Sequence, residues 1–190
     1  MQDSDTTTKA CGYSEPTAEE WKRLVEKYKS EASHVVDRVL CHFQLLAGES
    51  GADFDRFKHS LQTATLAHQA GEDEEYVVCA LLHDIGDTLA PYNHPDVAAA
   101  ILKPYVSEEN HWMIQHHGIF QGYYFFHHVG LDRRLREQFR NHPCFERTAL
   151  FCERYDTLGF DSNMENMPLA AFEPMMRRVF ATPRNTIYQW

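Results

Sequence analysis

An all-α fold is what the chain predicts, and three observations carry it. No segment sustains the two-residue alternation of a half-buried strand. Helix-length stretches, several with apolar residues three and four apart, are separated by Gly- and Pro-containing breaks. No internal repeat is visible.

The elements follow in order. Met1 to about Pro16 is polar, Thr-rich and poor in large apolar residues, and reads as a disordered or loosely docked arm before a single helical domain over 17–190. Thr17-Ala18-Glu19-Glu20 is a capping box that starts a helix running towards Ser30 and on towards Leu46, with Trp21, Leu24, Val25 and Tyr28 on one face. Gly48 to Gly51 is a break. A second helix, about Asp53 to Ala70, carries His59, and a third, Glu74 to Asp84, ends in His83-Asp84. His94-Pro95 opens a short helix from Asp96 to Leu102, since proline suits a first turn. A helix started by His111 to Gln115 delivers His116 and His117 near its end, just before Gly118. Thr148 to Asp156 and Leu169 to Val179 are the last two.

Composition narrows the partners. At 190 residues the chain is large enough for one domain with a substantial core. A net charge of -10 disfavours nucleic acid and anionic membranes, leaving small molecules as the expected ligands. Cys11, Cys41, Cys79, Cys144 and Cys152 are odd in number and show no close pairing, which fits a reducing cytoplasm and offers no thiol zinc site. Neither a signal peptide nor a membrane span is expected.

Chemistry concentrates at His83-Asp84, which closes the apolar run Ala80-Leu81-Leu82. A charge buried there needs a partner, and a metal ion is a good one. His59 lies upstream, and His94, His116, His117 and Asp156 lie downstream, so the chain reads His, His-Asp, His, His, Asp. Adjacent helical residues point about 100° apart, so His116 and His117 seldom share an ion; His117, beside Gly118, is favoured and His116 is the second choice. Asp84 can bridge two ions because a carboxylate has two oxygens, whereas an imidazole offers one free nitrogen.

This order resembles the HD-domain superfamily, a helical bundle that holds one or two metal ions through a first-helix His, a central His-Asp and a late Asp. The resemblance covers roughly Phe57 to Asp161, and the two extra His are similar to the dinuclear branch. It implies a ligand set of His59, His83, Asp84, His94, His117 and Asp156. Imidazole and carboxylate ligation without thiols suits iron or manganese, and two iron ions are the expected cofactor.

Two chemistries compete on such a centre. A phosphohydrolase would activate a water for attack on a small phosphate ester. An oxygenase would use dioxygen to take hydrogen from a carbon of a small hydroxylated or amino substrate. A third reading is a ligand-binding or regulatory protein without turnover. His59-Ser60-Leu61-Gln62-Thr63-Ala64 and Ala80-Leu81-Leu82-His83-Asp84-Ile85-Gly86 resemble the mixed-valent diiron oxygenases of the superfamily, inositol oxygenase and the hydroxyphosphonate oxygenases, and favour the oxygenase. The chain departs from the phosphonate enzymes in three places. Glu49 and Ala52 stand where those enzymes carry a lid Tyr and Glu, Gln121 stands where they carry a phosphonate-binding Lys, and Asp87 follows Gly86. A phosphonate is therefore not the expected substrate.

Asp87, Gln121 and Arg154 are the candidate pocket residues, Arg154 as a carboxylate binder. The aromatic run Tyr123-Tyr124-Phe125-Phe126 reads as core packing, with an aromatic wall that accepts a cation as the functional alternative. Arg133, Arg134, Arg136 and Arg140 read as a solvated helix face.

Overall fold

The computed structural model describes residues 15–48 and 55–188. Most of the expected arm, the positions Glu49 and Ala52, and the start of the second predicted helix lie outside those residues. The chain divides into two compact units, Met1–Val35 and Val36–Trp190.

The first unit contains helix α1 (Ala18–Ser33). Its capping box forms as the sequence predicts: Thr17 N donates to Glu20 Oε2 at 2.7 Å, and Glu20 N donates to Thr17 Oγ1 at 3.3 Å. No residue of α1 is buried, and Trp21 and Tyr28 are largely exposed. The helix stops at a turn at His34, so it does not run on towards Leu46.

In the second unit α2 (Val35–Phe43) closes in a 3-10 turn, Gln44–Leu46. The helices α3 (Arg56–Gln69), α4 (Glu74–Leu82), α5 (His94–Leu102), α6 (Glu108–Phe125), α7 (Phe145–Phe151) and α8 (Leu169–Phe180) follow, with no strand among the described residues. Side chains cap the starts of α3, α4 and α6: Asp55 accepts from Phe57 N, Asp73 from Tyr76 N and Ser107 from Asn110 N. Every residue from Tyr76 to Leu82 is buried, so α4 is the central helix of the bundle. It packs against α3 and α8. Burial on all sides explains why α4 lacks an amphipathic pattern.

Two sequence expectations need correction here. The helix carrying His116 and His117 does not end before Gly118; α6 continues through Gly118 and Gly122 to Phe125. Glycine costs about 1 kcal/mol inside a helix, but tertiary packing overrides it. A Cβ on Gly122 would stand 2.3 Å from the Phe126 ring, so that glycine admits the ring against the helix.

The predicted helix from Thr148 to Asp156 is not one regular α-helix either. α7 begins at Phe145 and ends at Phe151, and residues Cys152–Asp156 widen into a π-turn. Cys152, Tyr155 and Asp156 are buried by that turn. Such turns recur at functional sites, and no residue pattern in this chain announces it.

Candidate metal centre

Four imidazoles and two carboxylates converge inside the second unit. His59 comes from α3, His83 and Asp84 from the end of α4, His94 from the first residue of α5, His117 from α6 and Asp156 from the π-turn. His59 Nε2 lies 3.1 Å from His83 Nε2, 3.2 Å from Asp156 Oδ1 and 3.6 Å from Asp84 Oδ2. His83 Nε2 lies 3.4 Å from Asp84 Oδ2 and 3.6 Å from Asp156 Oδ1. The other Asp84 oxygen, Oδ1, stands 3.3 Å from both His94 Nε2 and His117 Nε2. Asp84 thus divides its oxygens between two pairs of imidazoles.

The outward nitrogens fix the chemistry of the inward ones. His59 Nδ1 faces Gly159 O at 3.1 Å, His83 Nδ1 faces Ala80 O at 2.8 Å, and His117 Nδ1 faces Ile114 O at 2.7 Å. His94 Nδ1 faces Asp87 Oδ1 at 3.3 Å. Each partner can only accept, so Nδ1 carries a proton and Nε2 is turned inward, available to a proton or a metal ion. The two Nε2 atoms facing each other across 3.1 Å, His59 and His83, need a proton or a metal ion between them. Asp156 Oδ2 is buried with no hydrogen-bond partner among the described residues. A hydrogen-bonded outer nitrogen with a free inner one is how imidazoles hold metals. The groups His59, His83, Asp156 and His83, Asp84, His117 are all buried and could hold a metal ion.

Electrostatics point the same way. Burial alone would lower His83, but the Asp84 and Asp156 carboxylates reverse this and hold it well above the usual imidazole range. Burial would raise both carboxyls, yet His83, His117 and His94 hold Asp84 well below the usual carboxylate range, and His59 and His83 do so for Asp156. The pocket therefore stabilises anions and seeks a positive charge to share among them.

Close backbone approach makes the geometry possible. A Cβ on Gly159 would stand 2.5 Å from Thr63 Oγ1 and 3.0 Å from His59 Nδ1, so only glycine lets its carbonyl reach the ring. A Cβ on Gly86 would stand 2.5 Å from His94 O, so that glycine lets the turn after His83-Asp84 press against the start of α5. Phe160 then stacks on His59, with centroids 3.9 Å apart.

Of the doublet, His117 reaches the centre. His116 turns away, its Nδ1 facing Trp112 O at 2.9 Å and its ring stacked on Trp112 at 4.0 Å. Gln121 does reach the centre, donating from Nε2 to Asp156 Oδ1 at 2.7 Å. Asp87 reaches it indirectly, through His94, and its other oxygen is ion-paired with Arg56. Arg154 is not brought to the centre: it is exposed and lines a separate groove with Leu66, Gln69, Tyr155 and Leu158.

Sequence reasoning missed two contributors. Gln62 donates to Asp161 O at 2.6 Å and Met164 O at 2.9 Å, fastening the segment after the π-turn over α3. A polar Gln inside a helix whose neighbours are Leu61 and Ala64 is the signal that could have found it. Arg56, which precedes His59 by three residues, carried no such signal.

The profile of the HD domain matches residues 56–158, which span all six converging residues. The chain belongs to the HD-domain family. HD domains are generally metal-dependent enzymes, and the buried His and Asp groups of this one suit that chemistry. No curated protein matches the chain. None of the described helices is long and apolar enough to cross a membrane.

Proposed function

We propose that this HD-domain protein is a dinuclear-iron oxygenase that oxidises a small hydroxylated or amino organic molecule with dioxygen. The observation that carries the reading is the division of Asp84, whose Oδ2 faces His59 and His83 while Oδ1 faces His94 and His117. A carboxylate placed so would bridge two adjacent ions. His59, His83 and Asp156 would complete the inner position, and His94 and His117 the outer one. Two iron ions bound there would supply the redox chemistry, with dioxygen as oxidant and the substrate as reductant.

The donor set supports iron or manganese, since no thiol enters it: Cys152 Sγ is directed to His117 O at 3.5 Å. What else reaches the centre disfavours phosphoryl transfer. Gln121 is a neutral amide, and Arg56 is already paired with Asp87. A phosphoryl group on the ions needs free cationic donors beside it.

The chain's own residues position and shield. Gln121 fixes Asp156 through its amide. Phe151 sets its ring edge-on to His83 and His117, at 5.7 and 6.3 Å between centroids, and keeps water from the inner side. The His94 side chain is 21% exposed while those of His59, His83 and Asp156 are at most 1% exposed, so substrate and dioxygen arrive at the outer position.

Anaerobic loading with iron, partial oxidation and electron paramagnetic resonance test the reading. A coupled mixed-valent signal that changes on adding hydroxylated or amino compounds, with dioxygen consumption, is expected. A redox-silent pair with phosphatase activity would replace it by the hydrolase.

A further inference from the structure

We infer that Arg133 and Arg136, stacked on Tyr123, form a receptor for an oxyanion, a carboxylate or phosphate carried by the substrate at the end remote from its reacting carbon. The inference rests on the oxygenase reading for the word substrate, and on geometry for the receptor. Arg136 Cζ lies 3.7 Å and Arg133 Cζ 4.2 Å from the centroid of the same Tyr123 ring. The ring face that the sequence offered to a cationic ligand is therefore already taken by the protein's own cations.

The two arginines are not the solvated face that their spacing suggests. The Arg136 side chain is 13% exposed, against 78% for Arg134. Nε of Arg133 and Nε of Arg136 are both buried with no hydrogen-bond partner among the described residues. Glu137 stands 3.8 Å from Arg136 Nε, in ion-pair range but beyond a hydrogen bond, and its other oxygen is held by Arg140 at 2.6 Å. Two guanidiniums on one ring repel each other, and buried donors without acceptors are costly. An oxyanion that takes a donor from each beside the ring they share relieves both, and stacking on the ring holds the planar forks ready for it.

The location sets the ligand's polarity. Gln121 meets Asp156 of the centre, and Tyr124, three residues on, occupies the same face of α6 one turn further, about 5 Å along the axis. Burial raises the Tyr124 hydroxyl, Glu153 adds to this, and Arg136 opposes it through its charge and a hydrogen bond, so Tyr124 lies beside the cluster and is held by Arg136. An anion held there is about a turn or more from the ions and cannot be the group that reacts on them. The receptor thus selects small molecules with a reacting carbon at one end and an oxyanion at the other.

The test uses the full chain freed of metal by chelation, so that no ion can bind the probe, titrated with inorganic phosphate and with acetate at constant ionic strength. Calorimetry or amide chemical shifts should show saturable binding of at least one probe, and which one binds tells phosphate from carboxylate. Binding should weaken roughly tenfold or more in R136Q, fall less in R136K, which keeps the charge without the fork, and persist in H94A. R133Q and R136K carry the comparison should R136Q not fold. Absence of saturable binding, binding that survives R136Q or both R133Q and R136K, or binding lost in H94A would overturn the inference. Loss of the diiron signal would leave this result standing, so the two readings fail separately.

Discussion

The two halves of the centre are built from different material. The inner half, His59, His83 and Asp156, is fully enclosed by α3, α4 and the π-turn, and every outward nitrogen of its imidazoles rests on a backbone carbonyl. The outer half leans on His94, the first residue of a short helix, which is held by a side chain, Asp87, itself held by a partly exposed Arg56. Core packing is rigid and a side-chain relay at the surface is not. On the proposed dinuclear reading, the inner position should therefore bind an ion tightly and keep it, while the outer position should be weaker and exchangeable.

The comparison can be broken at its shared member. Asp84→Ala removes an oxygen from each half and should release both ions, weakening affinity by more than the roughly 100-fold that loss of one outer hydrogen bond causes. Metal content after dialysis checks this, and a variant that keeps both ions would end the bridging account. His94→Ala should separate the halves, taking the metal content from two to one while changing the stability of the metal-free protein by about 1 kcal/mol or less, because the residue is partly exposed. Asp87→Asn should leave one ion unaffected and weaken the other about 10–100-fold, the range seen when an imidazole loses its outer partner. Competition with a chelator reads the two affinities apart.

Two smaller effects sharpen the contrast. Gly159→Ala places a Cβ 2.5 Å from Thr63 Oγ1 and 3.0 Å from His59 Nδ1, so it should cost about 1–3 kcal/mol in denaturant unfolding and loosen the inner ion before the outer one. Glu75 belongs to neither half and serves as the control. Burial would raise its carboxyl, but hydrogen bonds from Ser107, Arg184 and Asn110 hold it down at about 2 against an ordinary 4.5. A depressed carboxyl stabilises the fold fully above its ordinary value and loses that contribution as pH falls towards its folded value. Glu75→Gln should thus cost about 1 kcal/mol near neutral pH, after solvent screening, and progressively less as pH falls through about 2, without altering metal binding. Urea unfolding across that range measures it.

The converging His and Asp residues were legible in the sequence because such residues stand out beside apolar runs such as Leu81, Leu82 and Phe151. Helix starts were legible for the same kind of reason, since Thr17, Asp73 and Ser107 are specific capping chemistry. The continuation of α6 through Gly118 and Gly122 was not, because a local penalty is outweighed by packing that lies elsewhere in the chain. The π-turn was hidden too, as it costs no distinctive residue, and it decides that Asp156 faces inward and Arg154 outward. The stacking of Arg133 and Arg136 on Tyr123 joins residues ten and more positions apart and has no periodic trace.

The central claim is that one carboxylate, Asp84, serves two unequal ion positions. Anaerobic titration of the metal-free protein with ferrous iron, read by equilibrium metal content beside His94→Ala, addresses it directly. The account predicts two ions per chain bound in resolved steps, with only the weaker step missing in the variant. A single ion per chain, or a variant that still binds two, would contradict it.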